Sequence, residues 1–295
     1  MSFSGDVKDE LLRLENDARH CQIAELAAVL MYADTVKTDV LGGKYIELPA
    51  DVPLVRQRCQ ILFDKLFGKP FLKEQHFIQD TKYVHKVLQT IKYGSGEQLV
   101  NPLLIKSLCC KRAFLRGVFL AVGSMSNPEK GYHLEYACTN VQQVAQIIDT
   151  LLVYDIRAKT VARKKYQVVY IKESEEIVEL LNVIGAHVSL MKLENLRILK
   201  DMRNSINRRV NCETANITKT VNAATKQIAD IEYIKEHYGF DNLKENLRQV
   251  AELRLEYPEI ALKELGEYLS PPVGKSGVNH RLRKLSELAE KLRGD

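Results

Sequence analysis

The chain reads as an α+β protein: a duplicated, pseudo-two-fold N-terminal body followed by an all-α domain that ends in a helix-turn-helix. Three observations predict this. Residues 26–34 (LAAVLMYAD) and 115–123 (LRGVFLAVG) repeat apolar residues at i, i+3, i+4 and i+7: Leu26, Val29, Leu30 and Ala33, then Leu115, Val118, Phe119 and Val122. The elements that follow each stretch come in matching order. Near the C-terminus, two helical patterns are divided by Pro271, Pro272 and Gly274.

In chain order, the first repeat (about 5–95) starts with a helix over residues 5–34. Gly42 and Gly43 turn into a strand in which Tyr45 and Glu47 alternate with Ile46 and Leu48. A helix over 53–67 stops at Gly68 and Pro70, and strands follow at 72–78 and 83–88. Gly94, Ser95 and Gly96 mark a joint. The second repeat (about 100–190) gives a helix over 102–122, a strand at 132–136, a helix over 141–154, strands at 160–163 and 166–171, and a helix over 175–183. Each repeat alone is a small three-stranded layer with too little apolar mass to cover it, so the two are expected to pair. Ala27 and Ala28, with Gly117 and Ala121, are small enough for the two helix backbones to approach closely. Such spacing marks a tight core contact more often than an active site.

The duplicated domain is expected to fill residues 1–200. Residues 201–225 read as a linker that becomes the first helix of a C-terminal domain at 226–295. Arg203, Arg208 and Arg209 lie in that linker, with phosphate contact as a sharper alternative. In the C-terminal domain, Leu262, Leu265, Gly266 and Leu269 share one helix face, and Gly266 leaves room for a second helix to cross. Ser276 is a plausible N-cap for the next helix, which carries Val278, Leu282, Leu285, Leu288 and Leu292 inward. A helix, a short turn and a helix form a DNA-binding unit.

The outward face of that last helix carries Ser276, His280, Arg283, Lys284 and Glu287, with Asn279 at its border. Ser276, Asn279, His280 and Arg283 are candidate base readers, and Lys275, Lys284 and Arg281 candidate phosphate anchors. Arg281 lies nearer the apolar stripe and must reach out along its stem. The bland alternative is a merely solvated basic face.

Composition bounds the rest. A net charge of +5 over 295 residues permits a nucleic-acid partner without requiring one. Asp6, Lys8, Asp9 and Glu10 exclude a secretory signal, and no run approaches the ~18 apolar residues of a membrane span, so a cytoplasmic protein is expected. The six cysteines form no CxxC pair and have no histidine at zinc-finger spacing; they read as buried, reduced thiols. No metal or cofactor is expected. The GKS at 274–276 lacks the first glycine of a phosphate-binding loop, because Leu269 stands there. His133 and His187 read as isolated core or surface histidines.

The two nine-residue stretches resemble degenerate copies of the LAGLIDADG motif of homing endonucleases. In that family two such helices form the central interface, and each ends in a metal-binding acid. Those acids fall on Ala33 and Val122 here, and neither a methyl nor an isopropyl group can hold the ions that phosphodiester cleavage requires. Asp34, one place further on, would point about 100° round the helix.

Three separated stretches, CCKRAFLRGVFLAVGSMSNPEKGYHLEY from Cys109, NRRVNCETANITKTVNAATKQIADI from Asn207 and SPPVGKSGVNHRLRKL from Ser270, resemble the WhiA family of bacterial regulators over nearly the whole chain. The resemblance implies a LAGLIDADG-like domain inactive as a nuclease, joined to a promoter-reading helix-turn-helix. It implies a sequence-specific, nucleoid-associated regulator of transcription, tied to cell division and chromosome segregation, and to sporulation in filamentous relatives. The implied partners are double-stranded DNA and a protein co-regulator, of the iron-sulfur WhiB type in actinobacteria, with no membrane and no small-molecule substrate. The N-terminal body would be an accessory DNA saddle or a protein-docking platform. An active nuclease using displaced acids is the rival from another class.

Overall fold

A computed structural model describes residues 2–15, 18–49, 52–68, 76–94 and 99–294. It divides into two compact units, residues 1–200 and 201–295. No described helix is long and apolar enough to cross a membrane.

The first unit is built on α1 (Phe3–Leu12), α2 (Arg19–Tyr32), α3 (Pro53–Phe67), α4 (Thr81–Thr90), α5 (Leu108–Val122), α6 (Val141–Leu152) and α7 (Ser174–Ile184). Two antiparallel sheets accompany them. One has the order β1 (Val36–Thr38), β2 (Lys44–Glu47), β3 (Phe77–Ile78); the other runs β4 (Gly123–Met125), β5 (Leu134–Cys138), β7 (Tyr166–Ile171), β6 (Lys159–Arg163). The second sheet thus has four strands where three were expected. β1 and β4, three residues each, follow α2 and α5 directly and are too short for alternation to reveal.

The long helix expected over 5–34 is two helices. The break leaves carbonyl groups at the end of α1 without helical partners, and Arg58 supplies them: its Nη1 donates to Leu12 O at 3.1 Å and Leu14 O at 3.0 Å. Residues 83–88, expected as a strand, lie within α4. Asp80 caps that helix by accepting from the Tyr83 N–H at 3.0 Å, and Val84, Val87 and Ile91 bury one helical face. The expected strand at 72–78 is seen only at Phe77–Ile78, since 71–75 lie outside the described residues, as do Ser95 and Gly96 of the expected joint. The helix expected from residue 102 begins as a 3₁₀ turn, Pro102–Ile105, and becomes α-helical at Leu108.

The end of α7 shows how closely α5 is tied to its surroundings. Gly185 takes φ +92° to close the helix, a conformation that favours glycine. Arg112 Nε and Nη2 donate to Val183 O and Asn182 O, and Arg116 Nε to Ile184 O at 2.8 Å, so two arginines one turn apart satisfy its last carbonyls.

The next helix, α8 (His187–His237), runs through the residues expected as a linker and into the second unit. Glu10 caps its start, accepting from the Val188 N–H, the Ser189 N–H and the Ser189 hydroxyl at 2.7–2.9 Å. In the second unit α9 (Glu245–Glu256), α10 (Leu262–Glu267) and α11 (Lys275–Gly294) pack with the end of α8. Ile231 and Ile234 of α8, Val250 and Ala251 of α9, Leu265 and Leu269, and Val278, Leu282, Leu285 and Ala289 of α11 form its core. All six cysteines are free thiols. Cys109 and Cys212 are exposed, contrary to the expectation that the thiols are buried.

Candidate nucleic-acid interface

In the first unit α2 and α5 pack against each other as a central seam. A Cβ on Gly117 would lie 2.6 Å from the Glu25 carbonyl oxygen and 2.8 Å from Ala28 Cβ, so glycine is required by the approach of the two backbones. Tyr32 and Phe114 meet edge to face across the seam at 5.7 Å.

Glu25 is fully buried in this seam, a residue sequence reasoning passed over. Its Oε1 accepts from Arg58 Nε at 2.6 Å and its Oε2 from Arg116 Nη1 at 3.0 Å. Burial pushes the Arg116 guanidinium below the usual arginine range, and Glu25 opposes that shift. The network is a structural clamp between α2, α3 and α5, with no group poised for chemistry.

At the C-terminal ends of the seam helices, Ala33 closes α2 and Val122 is the last residue of α5; both are half-buried. Asp34 does not continue the helix as expected. It lies past the cap at φ +51°, and its carboxylate pairs with Lys37 Nζ at 2.5 Å. Among the described residues the seam thus brings no pair of acids to the place where such helices would clamp metal ions.

In the second unit, α10, the turn and α11 form the helix-turn-helix. The close approach expected of a second helix at Gly266 is made by the turn. A Cβ there would lie 1.9 Å from the Val273 carbonyl oxygen and 3.1 Å from Val278 Cγ2, and Val273 N–H donates to Gly266 O at 2.9 Å. α11 starts at Lys275, with Gly274 O accepting from the Val278 N–H at 3.1 Å. Ser276 is therefore in the first turn, not at the N-cap, because the carbonyl that opens the helix is Gly274's.

With Val278, Leu282 and Leu285 buried, Lys275, Ser276, Asn279, His280, Arg283 and Lys284 are all exposed. Arg283 Nε pairs with Glu287 at 3.2 Å, an exposed i,i+4 contact of little strength. Arg281 is half-buried and its Nη1 donates to Asn246 O of α9 at 3.4 Å, so the expected phosphate anchor is turned toward the neighbouring helix. Arg254, also passed over, is buried beneath this unit and donates to Ile260 O at 2.9 Å, which fixes the segment leading into α10.

A model of the WhiA C-terminal HTH domain matches residues 206–289, and one of the WhiA LAGLIDADG-like domain matches residues 111–203. The probable cell division protein WhiA of Lachnoclostridium phytofermentans is 47% identical, the match covering 99% of this chain and 100% of that protein. That of Thermoanaerobacter sp. (strain X514) is 43% identical over 99% of this chain and 98% of its own. This chain belongs to the WhiA family. The crystal structure of full-length WhiA from Thermatoga maritima, 27% identical, aligns over 99% of both chains with a TM-score of 0.58. The α+β architecture expected from the sequence, with a LAGLIDADG-like domain followed by a helical HTH domain, is therefore the WhiA architecture.

One basic element of this WhiA-family chain had a visible signal that pattern reading passed over. The hairpin of β6 and β7 carries Lys159, Arg163, Lys164 and Lys165 on an exposed edge, with Lys165 Nζ 5.3 Å from the Tyr166 ring. The run ARKK at 162–165 shows this charge in the sequence. His133, expected to stand apart, places Nε2 3.0 Å from the Glu135 carboxylate, which accepts from it, and stacks on Tyr170 of the same sheet.

Proposed function

We propose that the chain is a sequence-specific DNA-binding regulator of transcription without nuclease activity, acting in chromosome segregation and in cell division, the latter being the process that the names of its relatives give. One observation carries the reading: the first turns of α11, the second helix of the HTH, expose cations and an amide while their opposite face is locked into the core. Ser276, Asn279, His280 and Arg283 would face base edges in the major groove, and Lys275 and Lys284 the phosphates. Arg281, held against Asn246, serves to orient α11.

Two substitutions separate these roles. Arg283→Ala is expected to weaken binding to the preferred duplex by about 1–3 kcal/mol and to relax specificity at one position. Lys275→Ala is expected to weaken all duplexes alike and to reduce the salt slope by about 1. Titrations at several salt concentrations check both, and unchanged specific binding in the two variants refutes the placement of α11.

The basic edge of β6 and β7 favours a further reading, in which the first unit adds non-specific DNA contact. Replacing Lys159, Arg163, Lys164 and Lys165 by Gln should lower affinity for every duplex and leave sequence preference intact. A protein platform would instead leave DNA affinity unchanged. Supercoiled DNA incubated with the stringently purified protein and magnesium or manganese should remain uncut, since Ala33 and Val122 offer no ligand. Cleavage that co-purifies with the chain would revive the nuclease.

A further inference from the structure

The thiols carry more than packing. His20, Cys21, Cys109 and Cys110 come together at the N-terminal ends of α2 and α5, with one ligand-type atom from each within 4.8 Å of all the others. His20 Nδ1 is 3.1 Å from Cys110 Sγ and 3.3 Å from Cys21 Sγ. Cys21 and Cys110 are buried, whereas His20 and Cys109 are exposed.

We propose that these four side chains form a binding site for a soft divalent cation, zinc above all, that ties the two repeats together at the seam. Three cysteines and a histidine are a complete structural zinc set. Zinc–ligand bonds of about 2.0–2.3 Å in a tetrahedron separate the ligand atoms by roughly 3.5–3.8 Å. The short pairs already fall near that edge, and the longest separation needs to close by about 1 Å, within the reach of side-chain rotation at the exposed Cys109 and His20.

The placement follows the duplication. The register that sets Leu26 on Leu115 sets His20 on Cys109 and Cys21 on Cys110, the second and third residues of the two helices. The site is therefore assembled from one adjacent pair per repeat and is related to itself by the pseudo-two-fold. Its net charge with zinc is −1, from three thiolates and a neutral imidazole, and two helix N-termini without side-chain caps face it. A cleft of about 400 Å³, lined by His20, Leu103, Lys106 and Cys109 among others, opens the site to solvent and gives the ion a way in. On binding, the ion forms four coordinate bonds and the three thiols release their protons; nothing is oxidised or reduced.

The full-length protein, reduced and freed of metal, should be titrated with Co²⁺ and then with Zn²⁺. A single equivalent of Co²⁺ is expected to give the strong visible bands of a tetrahedral ion with a thiolate charge-transfer band, and Zn²⁺ to displace it. Cys109→Ser and His20→Gln alter exposed side chains and leave the core intact. Each should weaken binding by more than the roughly 10- to 100-fold cost of losing an outer-shell partner, while Cys212→Ser on α8 changes nothing. Weak octahedral cobalt spectra, equal affinity in the variants, or a disulfide within the cluster as the only reaction of these thiols would each overturn the proposal.

Discussion

Glu25→Gln is expected to destabilise the first unit by about 3–5 kcal/mol, the cost of leaving buried charge without its partner. The carboxylate is fully buried between two arginines that are themselves almost inaccessible, so its neutralisation leaves two guanidinium groups and no counter-charge. Arg116 is already pushed down by burial, and Glu25 is the chief group that opposes this. Hydrogen exchange of the full-length protein should show α2 and α5 losing protection together, while α9 and α11 keep theirs. Replacing Glu25, Arg58 and Arg116 together by Leu, Met and Met removes the charge problem, and an isolated buried triad so replaced can gain stability. Here it should not recover fully, because the arginines also satisfy the carbonyls of Leu12, Leu14 and Ile184, each costing about 1–3 kcal/mol when buried and unmet. A Glu25→Gln change below about 1 kcal/mol would mean that water or another group compensates the arginines.

That clamp also marks the boundary of what the sequence reveals. The paired helices were legible because nine-residue stretches with apolar residues at helical spacing recur about ninety residues apart, and Ala28 and Gly117 meet where small residues were expected. The helix-turn-helix was legible from two prolines and a glycine between apolar stripes. Glu25, Arg58 and Arg116 were not, because a charge inside a helical pattern reads as solvated, and only the fold shows that its partners lie 33 and 91 residues away. The same holds for the thiols: adjacent pairs on two helices match no metal-binding spacing until the seam brings them together. α4 was misread because Val84, Val87 and Leu88 fit a short strand as well as a helix, and the Asp80 cap was the deciding signal. The proposed recognition residues stand between these cases. Their exposure follows from the apolar stripe of α11, whereas the engagement of Arg281 with Asn246 depends on where α9 packs.

Gly266→Ala is expected to abolish sequence-specific DNA binding while the first unit stays folded. The added methyl would lie 1.9 Å from a backbone oxygen, that of Val273, which cannot rotate away as a side-chain tip can. Relief requires α10 and the turn to separate, breaking the Val273-to-Gly266 hydrogen bond and moving Val278 out of its core position. A cost of about 3 kcal/mol is expected, at the upper end of the range for overpacked cores, because the clash is with backbone. Two neighbouring glycines calibrate the effect. A Cβ on Gly277 would meet the Val273 side chain at 2.2 Å, so Gly277→Ala should be intermediate; Gly274 has nothing within 4 Å, and Gly274→Ala should be near neutral. Specific affinity should fall in the same order as stability, toward the non-specific level that is typically 10³-fold or more weaker. The ordering matters because Lys275 and Arg283 are exposed on α11, whose inner face is held in the core through Val278, Leu282 and Leu285. If Gly266→Ala lost stability in the second unit yet kept its preferred sequence, the aim of α11 would not depend on α10, and base reading would have to be sought on another element.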